Sequence, residues 1–162
     1  MNKIEKLFDI NIVLMSLSSS LEVIRDQKEV ELIYDIQEKI PRELWGDSVL
    51  LLRVLTKILS FVLENTDKKD IMLSLEAPED FLYEELISFT IKETHIDKKK
   101  VLHFLETNLS KDLEILEGKI VYEKDADIHL DIPFKINELG YRRHYRLPDE
   151  SMLGKKVLLI CG

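Results

Sequence analysis

The chain has five glycines in 162 residues, and the closest two, Gly154 and Gly162, stand eight positions apart. Average usage of about 7% would give roughly eleven. Loops that wrap phosphate in backbone N–H groups use several glycines close together. Only glycine reaches their backbone angles without strain and lets a ligand approach the main chain. A P-loop, a dinucleotide-binding fingerprint and an ordinary glycine-rich nucleotide lid are therefore excluded. Cysteine is almost absent: Cys161 is alone, so no internal disulfide forms, which fits a reducing, cytoplasmic setting. No apolar run approaches the ~20 residues of a membrane span. The mixed charged and apolar start from Met1 to Asp9 is not a secretory signal. Positive charge is in deficit, with 23 Lys and Arg against 31 Asp and Glu and a net charge of −8. That balance argues against broad electrostatic binding to nucleic acid or to an anionic membrane.

What is present suits one domain with a short appendage. Apolar residues make up 45% and charged residues 33%, enough to bury a core. Asp9 is placed to cap a helix running to about Asp26, with Ile10, Leu14, Leu17, Leu21 and Ile24 on one stripe. Val30, Leu32, Tyr34 and Ile36 alternate with Glu31, Ile33 and Asp35, the pattern of a half-buried strand. Pro41 ends it and opens a connection through Trp45 and Gly46. Asp47 or Ser48 then caps a second helix to about Asn65. It is apolar around most of its circumference, as a central buried helix is, with Arg53, Thr56, Lys57 and Ser60 as polar interruptions.

Further along, residues 71–75 and 86–92 read as strands. Two short helices follow, from Asp97 to about Glu106 and from about Asn108 to Glu117, the second closed by Gly118. Residues 119–122 and 128–134 read as a hairpin. This order predicts an α+β fold, a two-layer sandwich of one mixed sheet against a helical layer. Residues 1–7 read as the end of a preceding segment, 8–136 as the domain and 137–153 as a polar linker. The stretch 154–162 holds one apolar strand, Val157 to Ile160. A single strand cannot stand as a domain.

Three strings resemble the ATP-binding domain of sensor histidine kinases, the GHKL or Bergerat fold. The first runs from Gly46-Asp47 to Glu64-Asn65-Thr66 and follows the family's asparagine-box helix. The second, Ile91-Lys92-Glu93-Thr94-His95-Ile96-Asp97, stands where the first glycine box (Asp-x-Gly-x-Gly) follows a strand. The third, Leu113 to Val121 with Leu116-Glu117-Gly118-Lys119-Ile120, is similar to the string before the family's last hairpin. The resemblance covers roughly residues 8–134 and rests on the order and spacing of the strings. The tail from Leu147 to Ile160 resembles the linker and first strand of a receiver domain in a hybrid kinase. Cys161-Gly162 stands where such a strand would bring its acidic pair.

The resemblance implies a nucleotide site, and this sequence departs from it at every part. Phe61 stands where the family's asparagine coordinates Mg²⁺, a hard cation that needs oxygen ligands. Lys57 replaces the asparagine one turn earlier, and Glu64 replaces the closing lysine. Glu93 replaces the aspartate that binds the adenine amino group. His95 and Asp97 replace the two glycines, where side chains are expected to crowd the adenine slot. The second glycine box and the flexible lid are missing, since only Thr107, Asn108 and Leu109 separate Glu106 from Ser110. Bland roles exist beside these: Phe61 as core, Lys57 as a solvated helix face, and Asp97 as the N-cap of the following helix.

None of His95, His103, His129 and His144 sits in a long helix beginning with His-Glu or His-Asp, as a phosphoacceptor would. His129 alternates with Leu130 and is expected to face solvent. No spacing suggests zinc and no hydrolase triad appears. The basic cluster Lys98-Lys99-Lys100 reads as a solvated helix start. The cluster from Tyr141 to Arg146 combines arginine with aromatics, as a surface for nucleic acid or an acidic partner does, but in an acidic chain it reads first as a linker docking on its own domain.

The resemblance therefore implies a degenerate histidine-kinase-like ATPase domain of two-component signal transduction and phosphorelay. It is expected to be inactive, to bind neither ATP nor Mg²⁺, and to act as a scaffold or regulatory interaction module. Its expected partners are other signalling domains of the same or a partner protein, with no nucleic acid and no membrane contact. The alternative is a divergent working kinase domain in which Glu93 meets adenine and Lys57 replaces the metal's charge. A third reading is a pocket near Phe61 and His95 for another small molecule.

Overall fold

The computed structural model describes residues 4–77, 84–123 and 127–135. The first strand, β1 (Lys6–Asp9), ends on Asp9, whose carboxylate accepts the Asn11 N–H at 2.8 Å and so caps α1 (Ile10–Ser20). Arg42 Nε donates to the other oxygen at 2.7 Å. Burial alone would raise the Asp9 carboxyl. The Arg42 hydrogen bond, the Asn11 N–H and the Arg42 charge outweigh it and hold the group below its ordinary value of 3.8.

The single helix expected to Asp26 is two, because α1 stops at Ser20 and α2 (Glu22–Lys28) begins after Leu21. The run Ser18-Ser19-Ser20 is the physical cause, since serine side chains compete for backbone hydrogen bonds and lower helix propensity. Arg25 Nη2 donates to the Ser18 carbonyl at 3.1 Å. Leu17 and Leu21 remain fully buried across the break.

Next come β2 (Glu31–Ile36), β3 (Glu43–Gly46) and the long helix α3 (Ser48–Asn65). The connection expected through Trp45 and Gly46 is in fact β3, paired antiparallel with β1 from Lys6↔Gly46 to Asp9↔Glu43. Lys6 and Leu7, which stand before residue 8, thus belong to the sheet. Gly46 lies so close to Phe134 that a Cβ would come within 2.7 Å of the ring. The chain continues through β4 (Asp70–Glu76) and β5 (Glu84–Ile91), then α4 (Lys98–Asn108) and α5 (Ser110–Leu116). It closes with β6 (Lys119–Tyr122) and β7 (Ile128–Lys135).

Among the described residues the strands form one mixed sheet in the order β1-β3-β7-β5-β4-β2, with β6 also on β7. Only β2 and β4 run parallel, from Glu31↔Asp70 to Ile36↔Leu75. The expected α+β sandwich is what forms. One face of the sheet, with Ile71, Leu73, Leu75, Ile87, Phe89, Leu130 and Ile132, is buried in the core with α3. Leu51, Leu55, Ile58, Leu59 and Leu63 of α3 are at most 1% exposed, so this helix is the centre of the core. Residues of the opposite sheet face pair with each other: Ser88 with Asp131 at 2.6 Å, and Thr90 with His129 at 3.0 Å. The linker at 137–153, the tail strand and the Tyr141–Arg146 cluster lie outside the described residues.

Candidate functional site

Three of the singled-out residues, Lys57, Phe61 and Glu64, project from one side of α3 because they recur at steps of four and three. Lys57 does not stand free. Its Nζ donates to Asp112 Oδ2 at 3.3 Å and to the Asn108 carbonyl at 3.2 Å. Arg53, one turn earlier, grips the same carboxylate with Nη2 at 3.1 Å and Nε at 3.3 Å. Asp112 is buried at 8% exposure, in the first turn of α5. A carboxylate there complements the helix dipole and is held by two cations at once. Two positive side chains of α3 are thus tied to the α4–α5 corner.

Phe61 is half-buried and stacks on Phe104 of α4, ring centroids 4.3 Å apart and planes inclined by 16°. The stack closes α4 onto α3 at the position where the resemblance puts a metal ligand. Two phenyl rings offer no donor to a hard cation. Glu64 is exposed, and its carbonyl oxygen rather than its carboxylate accepts from Lys28 Nζ at 3.4 Å. Residues 57, 61 and 64 thus present a paired ammonium, a stacked ring and an exposed acid along one side of α3.

The loop between β5 and α4 carries the other three. Its buried residues are Thr94 and Ile96, and the Tyr122 hydroxyl donates to the Ile96 carbonyl. Glu93, His95 and Asp97 alternate with them and are exposed. Glu93 and His95 adopt left-handed backbone at φ 51° and 53°. His95 thus keeps the conformation that glycine adopts most easily while carrying an imidazole. The Glu93 N–H donates to Asp127 Oδ1 at 2.7 Å and its carboxylate pairs with Lys68 Nζ at 3.2 Å. Asp97 caps α4, its Oδ2 accepting the Lys100 N–H at 3.2 Å.

Sequence reasoning singled out Lys57 but not Asp112, the acid that it shares with Arg53, and Phe61 but not Phe104. A basic pair at i, i+4 on an otherwise apolar helix is the signal that an acid must face it. His129 differs from expectation. It is half-buried on β7, with Nδ1 3.0 Å from the Thr90 hydroxyl and Nε2 2.5 Å from Glu123, because its strand lies between β5 and β6. Among the described residues no three His, Cys, Asp or Glu side chains gather where they could hold a metal ion. No described helix is long and apolar enough to cross a membrane.

No protein-family model and no curated protein matches this sequence. Solved structures match its fold. The histidine kinase AdeS of Acinetobacter baumannii superposes with a TM-score of 0.63 at 14% identity, over 85% of this chain and 70% of that one. The nucleotide-free catalytic domain of the histidine kinase ThkA gives 0.57 at 14% identity, over 83% and 96%. Full-length ShkA in complex with AMPPNP gives 0.67 at 12% identity, over 85% of this chain and 33% of that one. The fold is that of histidine-kinase ATPase domains.

Proposed function

We propose that this chain keeps the fold of a histidine-kinase ATPase domain without its Mg-ATP chemistry. It serves instead as a scaffold or regulatory interaction module in cytoplasmic two-component signalling. The observation that carries this reading is the Phe61–Phe104 stack at 4.3 Å, which puts hydrocarbon where the metal and phosphates would need oxygen and nitrogen donors. Lys57 supports it, since its ammonium is already engaged by Asp112 and Asn108. The connection from α4 to α5 is the single residue Leu109, too short for a lid. ATP brings about four negative charges, and without N–H donors or a cation their desolvation has little to offset it.

The partners of such a module are other signalling domains, in the same or a partner protein. ThkA, of the same fold, has been solved in complex with the response regulator TrrA. Calorimetric titration with Mg-ADP and Mg-ATP tests the reading. No heat of binding is expected at millimolar nucleotide. Micromolar affinity that Lys57→Ala abolishes would instead make the domain a divergent working kinase module.

A further inference from the structure

The sheet face turned away from α3 ends, at β2 and β4, in an acidic patch. Alternation and register put Ile33 and Asp35 of β2 beside Met72 and Ser74 of β4 on that face. Ile33 is 38% exposed and Met72 is half-buried. Glu31 and Asp70 stand at one end of this apolar pair, and Asp35 and Glu76 at the other. All four acids are exposed, and none has an ion-pair partner among the described residues. The nearest bases are Lys92, whose N–H donates to the Met72 carbonyl, and Lys69, next to Asp70 in the chain. Acids therefore exceed bases here by four to two.

Ser74 is an independent sign that this face receives something. It is 2% exposed and sits between Asp35 and Thr90 in the register. Its Oγ has no hydrogen-bond partner among the described residues. Buried hydroxyls are nearly always paired, so this one is a polar atom for which the face itself holds no mate.

The chain carries a segment of complementary chemistry. Residues 1–135 hold 18 Lys and Arg against 28 Asp and Glu. From Leu139 to Leu147 there are three arginines, Arg142, Arg143 and Arg146, with Tyr141, Tyr145 and no acid. A guanidinium pairs with a carboxylate through a planar fork, and a tyrosine ring covers apolar surface while its hydroxyl bonds a neighbour. The segment is also long enough. β7 ends at Lys135, opposite Glu84, whereas Glu76 lies opposite Ser88. Four residues along and two strands across, Glu76 is about 17 Å from Lys135, and Asp35, one strand further, is about 25 Å away. Arg142 can stand up to about 23 Å from Lys135, and Arg146 up to about 36 Å.

We propose that the segment 139–147 docks on this outer end of the sheet. Its arginines meet the carboxylates of Asp35 and Glu76, a tyrosine ring covers Ile33 and Met72, and a polar group of the segment reaches Ser74 Oγ. Docked in this way, the arginines are withheld from other acidic surfaces. The contact does not depend on whether the nucleotide site is lost.

Limited trypsin digestion of the full chain, read by mass spectrometry, tests this. Trypsin cuts after Arg142, Arg143 and Arg146 and, as an internal reference, after Lys155 and Lys156. Asp35→Asn and Glu76→Gln, both at exposed positions, should each speed cutting at the arginines about threefold, and the double variant about tenfold. Cutting after the two lysines should stay at the parent's rate. About 0.5 M salt should likewise speed the arginine sites of the parent relative to its lysine sites. A variant that does not melt like the parent is set aside, and the remaining variants and the salt series decide. Equal cutting at the arginines in parent and folded variants, or indifference to salt, overturns the proposal. So does protection that disappears on dilution, which would place the segment on a second copy of the chain.

Discussion

Among the described residues, four other than glycine hold left-handed backbone, namely Glu29, Glu93, His95 and Glu117, with φ from 51° to 59°. An L-residue there sets its Cβ against the carbonyl oxygen at a cost of about 1 kcal/mol. The low glycine content is thus a local strain as well as a compositional fact. At the end of α5 the sequence pointed to Gly118 as the terminator. The residue that turns is Glu117, whose N–H reaches the Glu114 carbonyl at 3.2 Å while the Gly118 N–H reaches Leu113 at 2.9 Å. The shift of one position was not legible, because no side chain marks which of two neighbours takes the turn. Glu117→Gly and His95→Gly are expected to stabilise the fold by about 0.5–1 kcal/mol each, measured by urea denaturation. An unchanged or lowered midpoint for both would mean that the side chains there recover the strain by other contacts.

At the scale of elements, the contact that decides the candidate site is the clamp of α5 on α3. Asp112→Ala leaves Arg53 and Lys57 as like charges at i, i+4 and removes a buried acceptor. The expected loss is about 1–3 kcal/mol. Lys57→Ala should cost less, since that side chain is 40% exposed. A double-mutant cycle on the Lys57–Asp112 pair should return a coupling of at least about 0.5 kcal/mol, and a coupling near zero would show that the pair is incidental. Lys57 stood out in the sequence as a polar break in an apolar helix. Its partner did not, being 55 residues away, and periodicity reports only local neighbours. The same limit hid the split between α1 and α2: the apolar stripe runs unbroken through Leu17 and Leu21, while the backbone yields at the serines.

For the molecule as a whole, the long elements were legible because alternation and helical spacing extend over many residues. The strands β1 and β3 were not, at four residues each. Two of their pairings, β1 with β3 and β3 with β7, join the sheet to the start of the chain, and Asp9 sits at that seam with Arg42. Because the folded Asp9 carboxyl lies below its ordinary 3.8, the unfolded chain takes up the proton first as pH falls. This contribution to stability is complete above about pH 5 and disappears as pH drops through the folded value. Urea midpoints followed from pH 6 into acid should fall more steeply for the parent than for Asp9→Asn, which keeps a capping side chain and removes the charge. Parallel curves would remove Asp9 from the account.

The parallel pairing of β2 with β4 bears on how fast the chain folds. The hairpins β4–β5 and β6–β7 join neighbours in sequence, whereas Glu31 and Asp70 must meet across 38 intervening residues that include all of α3. Closing a loop of that length before its contacts repay the lost entropy is slow. Folding speed therefore depends on α3: if that helix collapses early onto β4 and β5, it shortens the effective search. Substitutions in α3 should then slow refolding, while those in β2 mainly hasten unfolding.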